Sequence, residues 1–135
     1  MKIPIIHSLN KVGLPLVVTR SRPHLCFLVD TGSSHNVMFS YVLNASELTY
    51  TPIDISHSIM GIDGTPTVVN QIETTLSFDE KDVSTTFSVL DATNAISQIQ
   101  QESGIQIHGI LGIPFLTQNE WILDFKRQTI NTDAE

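Results

Sequence analysis

The feature that most constrains this chain is an apolar run that leads directly into an acidic residue and a turn. Residues 25–29 read LCFLV, and the letters DTGSS follow without a spacer. A short apolar run without alternation is typical of a strand buried on both faces. Asp30 is therefore predicted at the end of a buried strand, where an ionised carboxylate is costly unless donors surround it. Thr31 and Ser33 can donate hydroxyl hydrogen bonds to it, and Gly32 permits a close backbone approach. The alternative is an Asp that only caps its own turn.

The composition indicates a single globular domain without a nucleic-acid surface. The chain has 135 residues, of which 41% are hydrophobic and 16% charged, which suits one domain spanning 1–135. The net charge of -7 and the lack of a basic cluster argue against a nucleic-acid partner. The sequence contains no Cys-x-x-Cys or His-Glu-x-x-His spacing, so neither a metal nor another cofactor is expected.

The N-terminal residues and the apolar runs bear on location. The first apolar segment is too short, and its continuation too polar, for a signal peptide, and no apolar run approaches the length of a membrane span. The single cysteine, Cys26, cannot form an intrachain disulfide and is predicted to be a buried thiol. These observations favour the cytoplasm, and whether the domain was cut from a longer chain stays open.

The rest of the chain is typical of short strands with few helices. In chain order, the predicted elements are an apolar segment at 3–6 followed by a loop, a hairpin over 14–30, a short helix over 41–48, a long hairpin over 53–78, a strand over 85–90, a helix within 91–104, strand character at 105–107, a helix from Pro114 to about Gln118, and a terminal hairpin over 121–130. Many short strands separated by turn signals predict a mostly-β barrel or sandwich.

Two further elements contain paired glycines. Gly61-Ile62-Asp63-Gly64 is predicted at the tip of the long hairpin, because an Asp-Gly pair suits a tight turn. An exposed Ile62 there invites a partner or ligand to cover it, although an ordinary surface hairpin would look the same. Further along, Gly109-Ile110-Leu111-Gly112 places glycines on either side of an apolar pair, which indicates close backbone packing.

Taken in order, these three patterns resemble the retropepsin-like aspartic proteases. The DTGSS letters after an apolar strand, the glycine-tipped hairpin and the Ile-Leu-Gly element match that family over roughly residues 12–130. The fold implied is a closed, mostly antiparallel β-barrel with one flap hairpin, here with two or three short helices. The chain would then be one half of a dimeric enzyme.

The resemblance also implies roles for individual residues. Asp30 matches the catalytic aspartate, Thr31 the residue that interlocks the two active-site loops, and Gly32 the residue that packs beneath them. The expected substrate-binding residues are Ser33, Gly61, Ile62, Asp63, Gly64, Ile110, Leu111 and Gly112. His108 departs from the pattern, since many cellular relatives carry Asp before the glycine element, and no role is assigned to it.

The implied chemistry needs two carboxylates, whereas the sequence contains one Asp-Thr-Gly. Neither Asp63-Gly64-Thr65 nor Asp91-Ala92-Thr93 has the preceding apolar strand or the Thr-Gly order. The economical solution is a twofold homodimer with Asp30 of each chain at the axis. Two adjacent carboxylates cannot both ionise easily, so they would share one proton while activating a water against an extended peptide or protein substrate.

Two other functions compete with endopeptidase activity. A catalytically silent dimerisation or peptide-binding module can keep this fold, although the intact Asp30-Thr31-Gly32 argues against it. A glycosidase or another carboxylate hydrolase fits less well, because no second acid stands at a comparable strand end.

Overall fold

Ten strands and four helices form the part of the chain that the structure describes. A computed structural model of the protein describes residues 1–45, 47–60 and 66–133. The strands are β1 (Lys2–Pro4), β2 (Leu16–Val18), β3 (Cys26–Val29), β4 (Val37–Phe39), β5 (Thr51–Met60), β6 (Pro66–Ser77), β7 (Asp82–Leu90), β8 (Gly109–Leu111), β9 (Ile122–Asp124) and β10 (Thr129–Asn131). The helices are α1 (Ile6–Val12), α2 (Ser40–Ala45), α3 (Asn94–Ser103) and α4 (Ile113–Gln118). The mostly-β class predicted from the sequence is confirmed.

The strands belong to two open sheets. Seven strands lie in the order β2-β3-β8-β4-β7-β6-β5, and three lie in the order β1-β10-β9. Within the described ranges the outer strands of each sheet do not pair with one another, so the predicted closed barrel is not confirmed. Most pairs are antiparallel, but β3 pairs with β8, and β4 with β7, in parallel. The parallel β3–β8 pair is the one that reaches the Asp30 motif.

Several predicted elements are confirmed by pairing or capping. The hairpins β2–β3, β5–β6 and β9–β10 are all antiparallel. Helix α3 begins after Thr93, whose hydroxyl accepts the Ile96 N–H, and ends at Gly104 with φ 74°. A hydroxyl N-cap and a left-handed glycine C-cap are local signals that the sequence displays directly.

Two segments differ from their predictions. A loop was expected after residue 6, but α1 occupies it and ends at Gly13, whose N–H donates to the Leu9 carbonyl at 3.0 Å. This helix brings the described number to four, against the two or three expected. Ile105 and Ile107 were predicted to be strand residues, yet they precede β8 without joining a ladder. Ile107 is fully buried, so its apolar character reflects core packing of a connecting segment.

Aromatic rings join the elements that border the Asp30 motif. Phe27 of β3 stacks on Phe87 of β7, with ring centroids 5.6 Å apart. Phe78 packs edge-on against both Phe27 and Phe115 of α4, at 5.9 and 5.6 Å. Trp121 completes the cluster with its centroid 4.9 Å from that of Phe115. Strand β3 and helix α4 are therefore anchored in the same core.

The two ends of the described chain meet in the smaller sheet. Strand β1 pairs antiparallel with β10, with Ile3 opposite Ile130, and β10 pairs with β9. Ile130, the middle residue of β10, is fully buried. No helix within the described ranges has the length and apolar character needed to cross a membrane.

Candidate active site

Asp30 is half-buried and lies one residue beyond the end of β3. Its backbone N–H donates to the Leu111 carbonyl at 3.0 Å, which continues the parallel β3–β8 pairing. Its carboxylate Oδ1 accepts the Gly32 N–H at 2.9 Å, and its carbonyl accepts the Ser33 N–H at 3.2 Å. The Gly32 bond is the turn cap of the alternative interpretation, and together with the strand register it holds the carboxylate in a defined place. A Cβ on Gly32 would come within 3.2 Å of the same oxygen, which explains the value of glycine there.

Thr31 and Ser33, whose hydroxyls were predicted to donate to the Asp30 carboxylate, have different surroundings. The Ser33 hydroxyl donates to the His35 carbonyl at 2.7 Å, so that predicted donor stabilises the turn. Thr31 is exposed on this chain, as are Gly32 and Ser34. The turn after β3 directs the Ser33 hydroxyl along its own backbone, a local competition common for serine.

The glycine element packs against the Asp30 loop as the sequence predicted. A Cβ on Gly112 would lie 2.3 Å from the His35 carbonyl oxygen and 2.7 Å from that of Ser33. A Cβ on Gly109 would lie 2.3 Å from the Val37 carbonyl oxygen. All three distances are far inside ordinary contact, so the backbones can approach this closely only without side chains.

The backbone N–H groups at the start of α4 donate almost entirely to the loop that follows Asp30. The Ile113 N–H donates to the Ser33 carbonyl at 2.8 Å, and Pro114 has no N–H to satisfy. The Phe115 N–H donates to Oδ1 of Asn36 at 3.2 Å, and that oxygen also accepts the Gly112 N–H at 3.1 Å. Helix α4 is thus fixed to the Asp30 loop by hydrogen bonds.

Asn36 is the residue that sequence reasoning missed. It is 7% exposed, and its Nδ2 donates to the Thr86 carbonyl at 3.3 Å. The backbone carbonyl of Asn36 also accepts the Ser88 N–H at 2.8 Å, so Asn36 joins the loop to β7 as well as to α4. A polar residue directly before the apolar strand 37–39 was the signal available in the sequence.

The predicted substrate-binding residues lie in different settings. Leu111 is fully buried, and Ile110 is half-buried opposite Leu28 and Val37, so these two support the loop from within the sheet. The predicted flap tip, Gly61-Ile62-Asp63-Gly64, falls outside the described residues. The strands that lead to it, β5 and β6, pair from Thr51 opposite Glu73 to Met60 opposite Pro66. The hairpin is therefore present as predicted, up to its tip.

An open hollow lies beside the Asp30 loop. It has a volume of about 590 Å³ and is lined by Thr31, Gly32, Ser33, Ser34, Ile113, Pro114, Thr117 and Gln118. Ile113, the first residue of α4, is 44% exposed and gives the hollow an apolar wall. The hollow gives the loop an apolar neighbouring surface that this chain leaves uncovered.

Metal and thiol chemistry find no support among the described residues. Within those ranges no three His, Cys, Asp or Glu side chains are grouped to hold a metal ion. Cys26 is buried, as predicted, and burial raises the pKa of its thiol to about 11. Because the thiolate is the nucleophilic form, this burial disfavours a nucleophilic role for Cys26.

Comparison with solved structures assigns the fold. The chain is similar to the crystal structure of the retroviral protease-like domain of Ddi1 from Leishmania major, with a TM-score of 0.57 and 12% sequence identity. The match covers 90% of this chain and 87% of that chain. At this identity the likeness concerns the fold alone, which is retropepsin-like.

Comparison at the level of sequence assigns the family. A family model described as aspartyl protease matches residues 20–115, more than half of the chain. The chain therefore belongs to the retropepsin-like aspartic protease family, as its three motifs predicted. A comparison with curated proteins found no match.

Proposed function

We propose that the protein is an aspartic endopeptidase that cleaves extended peptide or protein substrates as a homodimer. One observation carries the proposal: the half-buried carboxylate of Asp30, held by the Gly32 N–H at the end of the β3–β8 pair. A carboxylate fixed at the end of an inner strand, with an uncovered surface beside it, is placed to meet both a second carboxylate and a substrate.

The surroundings of Asp30 support a second copy of the chain as the source of the other carboxylate. Thr31, Gly32 and Ser34 are exposed, although their loop is held by hydrogen bonds such as that from the Gly32 N–H to Asp30. The adjoining hollow is lined partly by the exposed side chain of Ile113. Because Ile113 is 44% exposed, covering the rest of its side chain contributes about 1 kcal/mol, and twofold symmetry would do so twice.

The reaction follows from two Asp30 carboxylates that share one proton. The ionised carboxylate removes a proton from a bound water, whose oxygen attacks the scissile carbonyl carbon. The protonated carboxylate donates its proton to the carbonyl oxygen, which becomes a hydroxyl of the tetrahedral intermediate. As the C–N bond breaks, the newly protonated carboxyl gives its proton to the leaving nitrogen, while the other carboxylate takes a proton from one of the two hydroxyls on the intermediate carbon. That carbon becomes the new carboxyl group, and the pair again shares one proton. No covalent acyl-enzyme forms.

The long β5–β6 hairpin is the proposed cover for the substrate. An extended peptide can pair with strand-like backbone, so specificity would be set by pockets for its alternate side chains. Closure of the predicted tip over the peptide would exclude bulk water from the two carboxylates. Ile62 at that tip would then contact the peptide.

The decisive experiment compares Asp30→Asn with the parent against a peptide library from acidic to neutral pH. The variant keeps the shape of the side chain but cannot accept or share the proton, so cleavage should be lost while the unfolding transition is retained. Asp91→Asn is the matched control, because Asp91 is an exposed carboxylate that accepts a hydrogen bond from Ser40. Turnover by Asp30→Asn within a few-fold of the parent would contradict the proposal.

Sedimentation across a concentration series tests the dimer directly. Specific activity should rise with the dimer fraction, since one chain supplies only one carboxylate of the pair. Full activity in a species that stays monomeric at every concentration would exclude the shared dyad. A parent that cleaves no member of the library would instead favour a peptide-binding or dimerisation module.

A further inference from the structure

His108 lies at the opposite end of the β3–β8 pair from Asp30. Its backbone N–H donates to the Cys26 carbonyl at 2.8 Å, and its imidazole Nδ1 accepts the Cys26 N–H at 2.9 Å. One residue therefore satisfies both backbone polar groups of Cys26, the first residue of β3. Strand β8 begins one residue later, at Gly109, so the imidazole takes the place of a ladder carbonyl.

This hydrogen bond depends on the protonation state of the ring. A ring nitrogen that accepts a hydrogen bond must be unprotonated, so the proton of the neutral His108 resides on Nε2. A second proton on Nδ1 would oppose two N–H groups and leave the Cys26 N–H without its acceptor. Burial lowers the pKa of His108, in keeping with a ring held in its neutral form.

The groups around His108 do not titrate in the same range. From α2, the Tyr41 ring lies with its centroid 6.3 Å from that of His108, and from β3, Cys26 contributes its backbone N–H. Burial raises the pKa of Cys26 to about 11 and raises the pKa of Tyr41 above its ordinary value. From β4, Phe39 donates its backbone N–H to the His108 carbonyl at 2.9 Å, and its side chain carries no titratable group. Within this described cluster, His108 is the group that changes charge between acidic and neutral pH.

We propose that His108 is a pH-sensitive positioning residue, which ties β3 to β8 behind Asp30 when neutral and releases that end of the pair when protonated. The direction of the pH effect on stability follows from the linkage between proton binding and folding. In the unfolded chain a histidine binds a proton near pH 6.5, whereas folded His108 binds it only at lower pH. Its contribution to stability is therefore complete above roughly pH 6.5 and is lost as pH falls towards the lower pKa of the folded state. This inference does not require peptidase activity.

The test replaces His108 by a side chain that accepts but cannot titrate. In His108→Asn the amide Oδ1 takes the position of Nδ1 and can accept the Cys26 N–H at every pH. Urea unfolding is measured for parent and variant from about pH 7.5 to about pH 5, which brackets an ordinary histidine pKa. The folding equilibrium constant of the parent should fall roughly tenfold more than that of the variant, the cost of one unsatisfied buried N–H.

His24→Asn is the matched control. Nδ1 of His24 lies 2.9 Å from the Thr19 carbonyl oxygen, so this ring donates, and protonation leaves its hydrogen bond intact. The control should therefore retain the acid dependence of the parent. Parallel pH curves for the parent and His108→Asn would overturn the proposal.

A direct measurement on the parent covers the case in which the variant does not fold. Long-range nitrogen–proton NMR spectra distinguish the two imidazole tautomers. At about pH 7.5 we expect a neutral His108 with its proton on Nε2. A ring protonated on Nδ1 at that pH would overturn the proposal.

Discussion

Replacing Asn36 by alanine should destabilise the fold more than its place in a loop suggests. Oδ1 of Asn36 accepts the N–H groups of Gly112 at 3.1 Å and Phe115 at 3.2 Å, and both bonds are buried. Asn36→Ala leaves these two donors without that acceptor and also removes the Nδ2 bond to the Thr86 carbonyl at 3.3 Å. Each unsatisfied buried donor costs about 1–3 kcal/mol, so the loss of both bonds should lower the free energy of unfolding by about 2–6 kcal/mol.

Urea unfolding followed by tryptophan fluorescence measures this loss. Trp121 is the single tryptophan of the chain, and its ring lies 4.9 Å from Phe115 of α4, so it reports on the affected region. The matched control is Asn119→Ala, which removes one hydrogen bond from Nδ2 to the Phe115 carbonyl at the other end of α4. That change should cost about 1 kcal/mol or less. If Asn36→Ala costs no more than Asn119→Ala, the reasoning that joins α4 to the Asp30 loop through Asn36 is refuted.

Two further expectations concern the glycines. Gly112→Ala places a methyl group 2.3 Å from the His35 carbonyl oxygen and should lower the free energy of unfolding by about 1–3 kcal/mol or more. Gly32→Ala, whose methyl group comes no nearer than 3.2 Å to another atom, should cost less in the same urea assay. Equal costs would contradict the close-packing argument. In the flap hairpin, Gly61→Val should slow turnover by stiffening the tip, and amide exchange at residues 59–66 should slow when a statine-type peptide inhibitor binds; strong, equal protection with and without inhibitor would identify a rigid hairpin.

The sequence predicted those elements whose signals are local. The uninterrupted apolar run before Asp30 predicted β3, and alternating residues predicted the long β5–β6 hairpin. Pro114 marked the start of α4, while Thr93 and Gly104 bound α3 with a hydroxyl cap and a left-handed glycine. Each of these signals acts within a few residues of the structure it specifies, so reading along the chain is sufficient.

Helix α1 lacks a local signal at its start, although Gly13 caps its end in the left-handed conformation. It begins after Ile5, which provides no side-chain cap, and its first turn contains no acidic residue. Its stability comes from packing, since Leu9 and Val12 are partly buried against the core. Tertiary contacts outweigh weak local preference in such a helix, so the loop expected there was wrong.

The arrangement around the site was decided by contacts between distant parts of the chain. The sequence identified Asp30 and the glycine element, but the parallel pairing of β3 with β8 is what brings Asp30 against Leu111. Asn36 meets Gly112 across 76 residues of chain, and the Cys26 N–H meets the His108 ring across 82. The sequence shows which groups of each residue can donate or accept a hydrogen bond. Only the fold determines which distant partner they reach, because a hydrogen bond requires its two atoms within about 3 Å.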